Sequence, residues 1–154
     1  MTKIVRMTLW WILSSGVAWG IGPAGTVRAE TIHVPGDRPT IQAGIDAASD
    51  GDTVILADAV YRGSGNRNLS YRGKAVTVRS ANGPWRCIID CERQGRGFLF
   101  ENNEGPDSVL DGVTLINGRD LYGGGIRIEE ASPTITNCIF RNNAGRRQGG
   151  VDGY

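Results

Sequence analysis

The sequence of 154 residues contains a single histidine, His33, and only three cysteines. A Ser/His/Asp catalytic arrangement needs a histidine beside its nucleophile, and His33 lies upstream of the repeated part of the chain. The histidine and the cysteines also lack the spacing of a zinc site, so the sequence predicts no metal site. Neither sign of charge dominates, with 17 basic and 16 acidic residues, so the chain lacks the basic excess typical of nucleic-acid-binding proteins.

The apolar run at the N-terminus is too short and too interrupted to span a membrane. It lies within residues 7–21 and contains serines and glycines, whereas a span needs about 20 apolar residues. Lys3 and Arg6 precede it, and Val27-Arg28-Ala29 offers small residues for cleavage. We therefore expect residues 1–29 to be a signal peptide, cleaved near Ala29. The mature chain is then secreted or held at the cell surface, extracellular or periplasmic, with no membrane span.

Two stretches near the end of the chain repeat each other at an offset of about 25 residues, a period typical of stacked supersecondary units. The segment that starts at Leu110 lies over the segment that starts at Ile135, and Gly124-Gly125-Ile126 lies over Gly149-Gly150-Val151. The repeats consist of short β-type runs divided by Gly and Asn. A β-sandwich is the alternative, but hairpins would not return matching residues to matching places. The repeat predicts an all-β fold, a right-handed parallel β-helix (solenoid) with its coils in residues 52–154.

One amphipathic helix is indicated before the coils. Ile41, Ile45 and Ala48 recur at helical spacing, and residues 31–34 before them form a short strand pattern. The open end of a β-stack exposes core side chains and unpaired strand edges. We therefore expect residues 30–51 to form an N-terminal strand and a capping α-helix of about nine residues.

The cysteines raise the question of a disulfide, because an exported chain meets oxidising conditions. Cys87 and Cys91 would be about 13 Å apart in an extended run, beyond the roughly 7 Å limit on Cα separation unless a turn intervenes. Cys138 aligns with Val113 in the repeat, which indicates a small buried side chain. We expect three buried, unbridged cysteines, with a disulfide as the alternative.

The repeat also extends to an earlier coil. Offsets of 28 and then 25 residues align Phe98 with Ile126 and Ile126 with Val151, so we expect these three positions to stack in successive coils. With alternation along each strand, these three side chains point inward and their neighbours point outward. An arginine, carboxylates and an aromatic ring suit a sugar chain or a Ca²⁺-bridged uronate, whereas the structural alternative is a solvated sheet face with ion pairs between coils. The outward residues, our candidates for substrate binding, are Arg127, Glu129, Glu101, Asp152 and Tyr154.

Asparagines also recur in the repeat, with Asn117 over Asn142. Stacked asparagines at equivalent bends can bond to one another and to the turn backbone, so these two predict a structural ladder. Ordinary turn asparagines are the alternative. Tyr154 ends the sequence where a new coil begins, although solenoids need capped ends. We therefore expect a chain truncated at its C-terminus, a fragment of a longer β-helix.

Several segments resemble a known family. The run from Thr40 to Leu56, the segment Ser108 to Gly118 and the segment Ser132 to Phe140 are similar to bacterial secreted members of the pectin lyase-like superfamily. The resemblance implies a right-handed β-helix that binds or, in full-length form, processes an extracellular polysaccharide. In a pectate-lyase-like member, Arg127 would hold a uronate carboxylate and Glu129 would contribute to a Ca²⁺ site.

The motifs of the better-defined activities are absent. A polygalacturonase-like member needs Gly-His-Gly, which the chain lacks, and the Gln and Asp motifs of pectin methylesterases are not recognisable. Catalytic residues therefore stay unknown, and no cofactor is identified apart from Ca²⁺ in the lyase case. Gly124-Gly125-Ile126 and Phe140-Arg-Asn-Asn143 also resemble the repeats of polymorphic outer-membrane proteins. That resemblance keeps a non-catalytic cell-surface adhesin or envelope structural protein as the alternative.

Overall fold

The computed structural model of the protein describes residues 28–146 and the backbone of residues 151–153. The predicted signal peptide lies outside the described residues except for its last two positions. The described residues form fifteen strands and one helix. In chain order they are β1 (Thr31–Val34), α1 (Ile41–Ala47), β2 (Thr53–Leu56), β3 (Ala59–Tyr61), β4 (Leu69–Ser70), β5 (Thr77–Ser80), β6 (Cys87–Asp90), β7 (Phe98–Phe100), β8 (Val109–Asp111), β9 (Thr114–Ile116), β10 (Arg119–Asp120), β11 (Ile126–Ile128), β12 (Thr134–Thr136), β13 (Ile139–Arg141), β14 (Ala144–Gly145) and β15 (Val151–Gly153).

Every strand pair is parallel, and three sheets run along the stack. The first sheet has the order β1-β2-β5-β8-β12, the second β3-β6-β9-β13 and the third β4-β7-β11-β15. A short fourth sheet pairs β10 with β14 at the corner between the second and third sheets. Each coil contributes one strand to each of these three sheets in turn, and the next coil begins again in the first sheet. This arrangement is a right-handed parallel β-helix. The predicted all-β solenoid is confirmed.

Residues that match in the sequence repeat pair with one another across neighbouring coils. Leu110 pairs with Ile135, as the repeat predicts. Ile126 pairs with Phe98 on one side and with Val151 on the other, so the predicted stacking of these three positions is also confirmed. Matching residues therefore lie about 4.8 Å apart along the stack, the spacing of hydrogen-bonded strands.

The core is a column of inward side chains that alternate with outward ones along each strand. Its centre is aromatic, since the rings of Tyr71, Phe98 and Phe100 lie 4.9 to 6.2 Å apart between centroids and are all fully buried. The Tyr71 hydroxyl donates a 2.7 Å hydrogen bond to the carbonyl of Val109. This bond satisfies the hydroxyl, the one polar group among the three side chains. The buried rings therefore stabilise the fold, and no unpaired donor offsets that gain.

The helix α1 begins after Thr40, whose hydroxyl accepts a hydrogen bond from the peptide N–H of Ala43. It spans seven residues rather than the expected nine, because the backbone of Ala48 is already extended. The predicted apolar face is confirmed, since Ile41 and Ile45 are fully buried and Ala48 is nearly so.

The helix packs on the first coil through contacts with β1, β2 and β4. A Cβ atom on Gly44 would lie 2.9 Å from side-chain carbons of both Val34 and Val54, so this approach requires glycine. The ammonium of Lys74 donates to the carbonyls of Ile45, Asp46 and Ala48 at 2.7 to 2.9 Å. These bonds satisfy carbonyls that the end of a helix leaves without partners.

Candidate functional site

The predicted outward strip lies on the third sheet. Arg127 pairs in register with Leu99 and Asp152, while the neighbouring Phe98 and Ile126 are fully buried, so the predicted alternation is present here. One guanidinium nitrogen of Arg127 lies 2.6 Å from the carboxylate of Glu129. The charge of Arg127 is therefore already compensated within its own coil.

The ring of Tyr122 also contacts this arginine. The guanidinium carbon lies 5.1 Å from the ring centroid, a cation–π distance. Arg127 Nε is buried and has no hydrogen-bond partner among the described residues. Glu101 is exposed on the coil before Glu129. For Asp152 only the strand position is described, and Tyr154 lies outside the described residues.

The two predicted ladder asparagines occupy equivalent bends. Asn117 and Asn142 have φ angles of 57° and 55°, in the left-handed region that asparagine tolerates well. The amide of Asn117 donates to a carboxylate oxygen of Asp90 at 2.9 Å. In the following coil the bridging side chain is that of Asn143. Its oxygen accepts from the peptide N–H of Gly118, and its amide nitrogen donates to the carbonyl of Leu115 in the coil before. Amide side chains thus bridge successive coils at this corner.

Asp90 joins three coils through its carboxylate. It accepts from Arg62 Nε at 3.0 Å, from Asn117 at 2.9 Å and from the peptide N–H of Glu92 at 3.0 Å. Burial by itself raises the pKa of Asp90, but the bonds from Asn117, Glu92 and Arg62 outweigh it. The pKa of Asp90 consequently lies below its ordinary value of 3.8.

All three cysteines are free thiols, as predicted. Cys87 and Cys91 are fully buried, and burial raises the pKa of each to about 12. Cys138 is only half-buried, so the expectation of a buried side chain at this position is wrong, although burial still raises its pKa. These thiols stay protonated near neutral pH, which makes them poor nucleophiles.

An exposed tryptophan lies beside the second sheet. The side chain of Trp85 is 71% exposed, in the turn between β5 and β6. The hydroxyl of Thr114 donates a 2.7 Å bond to the carbonyl of Pro84, which holds this turn against β9. The guanidinium carbon of Arg141 lies 5.1 Å from the indole centroid. We call this surface the tryptophan face, made of Trp85, Arg141 and the outward residues Val60, Ile88 and Ile139 of the second sheet.

A cleft follows at the corner occupied by β10 and β14. It has two adjoining lobes of about 620 and 430 Å³, and the same three arginines line both lobes. We call it the arginine cleft, and its arginines are Arg93, Arg119 and Arg146.

Carboxylates that could hold a metal ion are dispersed in the described part of the chain. No group of three or more His, Cys, Asp or Glu side chains with suitable geometry occurs there. Within the strip, the carboxylate of Glu129 is paired with Arg127, whereas Ca²⁺ is held by several oxygen ligands.

Sequence reasoning missed both the tryptophan face and the arginine cleft. Trp85 follows Asn82-Gly-Pro84, a clear turn signal that could have drawn attention to the exposed ring. The cleft arginines recur along the chain at nearly the repeat period. That spacing was the available signal, although Arg93 lies upstream of the two stretches that visibly repeat.

Comparison with protein families, curated proteins and solved structures found no significant match. Within the described ranges, no helix has the length and apolar character needed to cross a membrane.

Proposed function

We propose that this protein is an exported β-helix that binds an extracellular polysaccharide on its outer surface, as a pectin lyase-like protein would. The observation that carries the proposal is the exposed ring of Trp85 with Arg141 beside it. Export rests on the signal-peptide pattern of residues 1–29.

The tryptophan face has the chemistry that sugar binding requires. A pyranose ring presents a flat face of C–H groups, which packs on an indole, and it presents hydroxyl or carboxylate groups at its edge. Arg141 is placed to donate to those edge groups. Val60, 45% exposed, and the half-buried Ile88 extend the apolar surface along the sheet. A linear chain is therefore a better fit than a compact ligand.

The test measures binding of the full chain to polygalacturonate, alginate and a neutral glucan by calorimetry. We expect Trp85→Ala to weaken polysaccharide binding about tenfold and Trp85→Phe to retain most of the affinity, because a smaller ring keeps the stacking surface. Equal affinities of wild type and Trp85→Ala would contradict the role of this face.

The same panel separates binding from catalysis. A rise in absorbance from unsaturated product, with Ca²⁺ present, would make the protein a pectate-lyase-like enzyme. Retention at the cell surface without affinity for any polysaccharide would instead favour the adhesin or envelope alternative.

A further inference from the structure

Three arginines of the arginine cleft are uncompensated. Arg93, Arg119 and Arg146 are exposed, and their guanidinium groups make no ion pair or hydrogen bond within residues 28–146. They come from the turn after β6, from β10 and from the residue after β14. Three successive coils thus each contribute one free cation to a single cleft.

The backbone under these arginines is firmly held. The peptide N–H of Arg93 donates to the carbonyl of Asn117, that of Arg119 to Gly95 and that of Arg146 to Asp120, at 2.8 to 3.0 Å. The Cα atoms are therefore fixed by bonds between coils before any ligand arrives. The ordering cost of binding is therefore confined to the three side chains.

The carboxylate that lines the cleft and the one beside Arg93 in sequence are already paired. Asp120 lines one lobe, but its oxygens accept from Arg96 at 2.9 and 3.3 Å and from the peptide N–H of Leu121. Glu92, next to Arg93 in sequence, is bound to Arg67 at 2.8 Å. These pairs leave the positive charge of the three cleft arginines without a counterion among the described residues.

The neighbouring amides are also partly engaged. Gln94 accepts from Arg67 at 2.8 Å, and Asn68 accepts from the peptide N–H of Arg96 at 3.0 Å. The lining therefore keeps three arginines without an ion pair, while Asp120, the one carboxylate among its residues, is paired. Such a lining selects an anion rather than a neutral or cationic ligand.

The number and placement of the donors distinguish between anions. A carboxylate offers two oxygens in one plane, which a single arginine satisfies in a bidentate pair. A phosphate or sulfate ester offers three free oxygens directed to different sides, which suits guanidinium groups that approach from three coils. The two lobes, about 620 and 430 Å³, give room for two such groups in succession.

We infer that the arginine cleft binds phosphate or sulfate groups carried in series on a polysaccharide. The carrier rests on the proposed function, whereas the charged group rests on the cleft alone. The cleft and the tryptophan face meet at successive residues, because Arg141 belongs to that face and Asn142 lines the cleft. One chain can therefore stack on Trp85 and place its charged substituents among the arginines.

The experiment titrates the full chain with dextran sulfate, inorganic polyphosphate, polygalacturonate and neutral dextran at fixed ionic strength. We expect dextran sulfate or polyphosphate to bind at least about tenfold more tightly than polygalacturonate of equal charge density, because only the first two carry tetrahedral oxyanions. A preference for either one supports the inference and identifies the oxyanion. Equal affinity for polygalacturonate, or no binding of either oxyanion polymer, would overturn it.

The variants are Arg93→Gln, Arg119→Gln and Arg146→Gln, alone and combined. We expect each to weaken oxyanion binding about tenfold, because each removes one charge-assisted contact. Arg79→Gln is the matched control, since Arg79 is exposed, has no ion pair within the described ranges and lies outside the cleft. An equal loss in the control would show non-specific attraction and overturn the inference.

Trp85→Ala separates this inference from the proposed function. If the polysaccharide proposal holds and the cleft inference fails, Trp85→Ala loses binding and the cleft variants do not. If the cleft binds oxyanions and the polysaccharide proposal fails, polyphosphate binding weakens in the cleft variants and is unchanged in Trp85→Ala.

Discussion

In the early coils of this β-helix the inward side chains are fully buried, whereas in the last described coil they are partly exposed to solvent. Inward residues such as Leu56, Phe98 and Leu115 are fully buried, but in the last coil Ile135 is only half-buried and Phe140 is 36% exposed. The second sheet ends at β13, so Phe140 has a described neighbour strand on one side alone. In a stack of coils, burial depends on having a coil on both sides and not only on pointing inward.

The strongest test of this comparison is a matched pair of truncations. We expect Phe98→Ala to lower the free energy of unfolding by about 3–5 kcal/mol, because it opens a cavity in the aromatic centre of the core. Phe140→Ala should cost less than about 2 kcal/mol, because much of its ring already contacts solvent. Chemical denaturation of both variants measures the difference, and similar losses would show that the last coil is as tightly packed as the others.

A second test uses acid, since Asp90 links three of the earlier coils. Its pKa is lowered in the folded chain, so its contribution to stability is present above the ordinary value of 3.8. That contribution should be lost as the pH falls below about 4 towards the lowered pKa.

The matched variant for this test is Asp90→Asn. We expect it to be less stable than wild type at pH 7 by about 1–3 kcal/mol, because it loses charge-assisted bonds. The two stabilities should converge in acid, measured by denaturation at a series of pH values. Parallel pH profiles would show that Asp90 contributes nothing to the acid sensitivity.

The smallest expected difference between the coils is in the rate at which their cysteine thiols react. We expect Cys138 to react with an alkylating reagent before Cys87 and Cys91, because it is half-buried in the last coil and the other two are sealed. With a pKa of about 12, roughly one thiol in ten thousand is ionised at pH 8. Mass spectrometry of the labelled peptides gives the order, with the urea-unfolded chain as control. Equal rates in the folded chain would contradict the difference between the coils.

Much of the fold could be predicted because it follows from periodicity. The pairing of Leu110 with Ile135 and the buried positions Ile41 and Ile45 depend on spacing along the chain, which a sequence displays directly. The two-residue strand Leu69–Ser70 and the short strand Arg119–Asp120 were not predicted. Strands of this length carry no pattern of their own and form only because a neighbouring coil supplies their hydrogen bonds.

The site was harder to predict because it depends on pairing between side chains. Arg127 and Arg119 are both outward arginines, and nothing in the sequence shows that Glu129 compensates the first while the second stays free among the described residues. The exposure of Trp85 likewise depends on how its turn is held by Thr114, which belongs to the next coil. Charge compensation and turn placement are properties of the folded stack.

The unequal lengths of the coils show that the sheets, which hold the molecule together, are independent of the length of the turns, which form much of its outer surface. In the first sheet Thr53 pairs with Thr77 and Thr77 pairs with Val109, so the second of these coils is clearly longer than the first, yet the ladder continues without a break. The additional residues lie in the turn between β5 and β6, which carries Trp85, and in the turn between β7 and β8. The turns can therefore accept insertions and substitutions that alter the outer surface, while the hydrogen bonds of the sheets and the stability that they provide are kept.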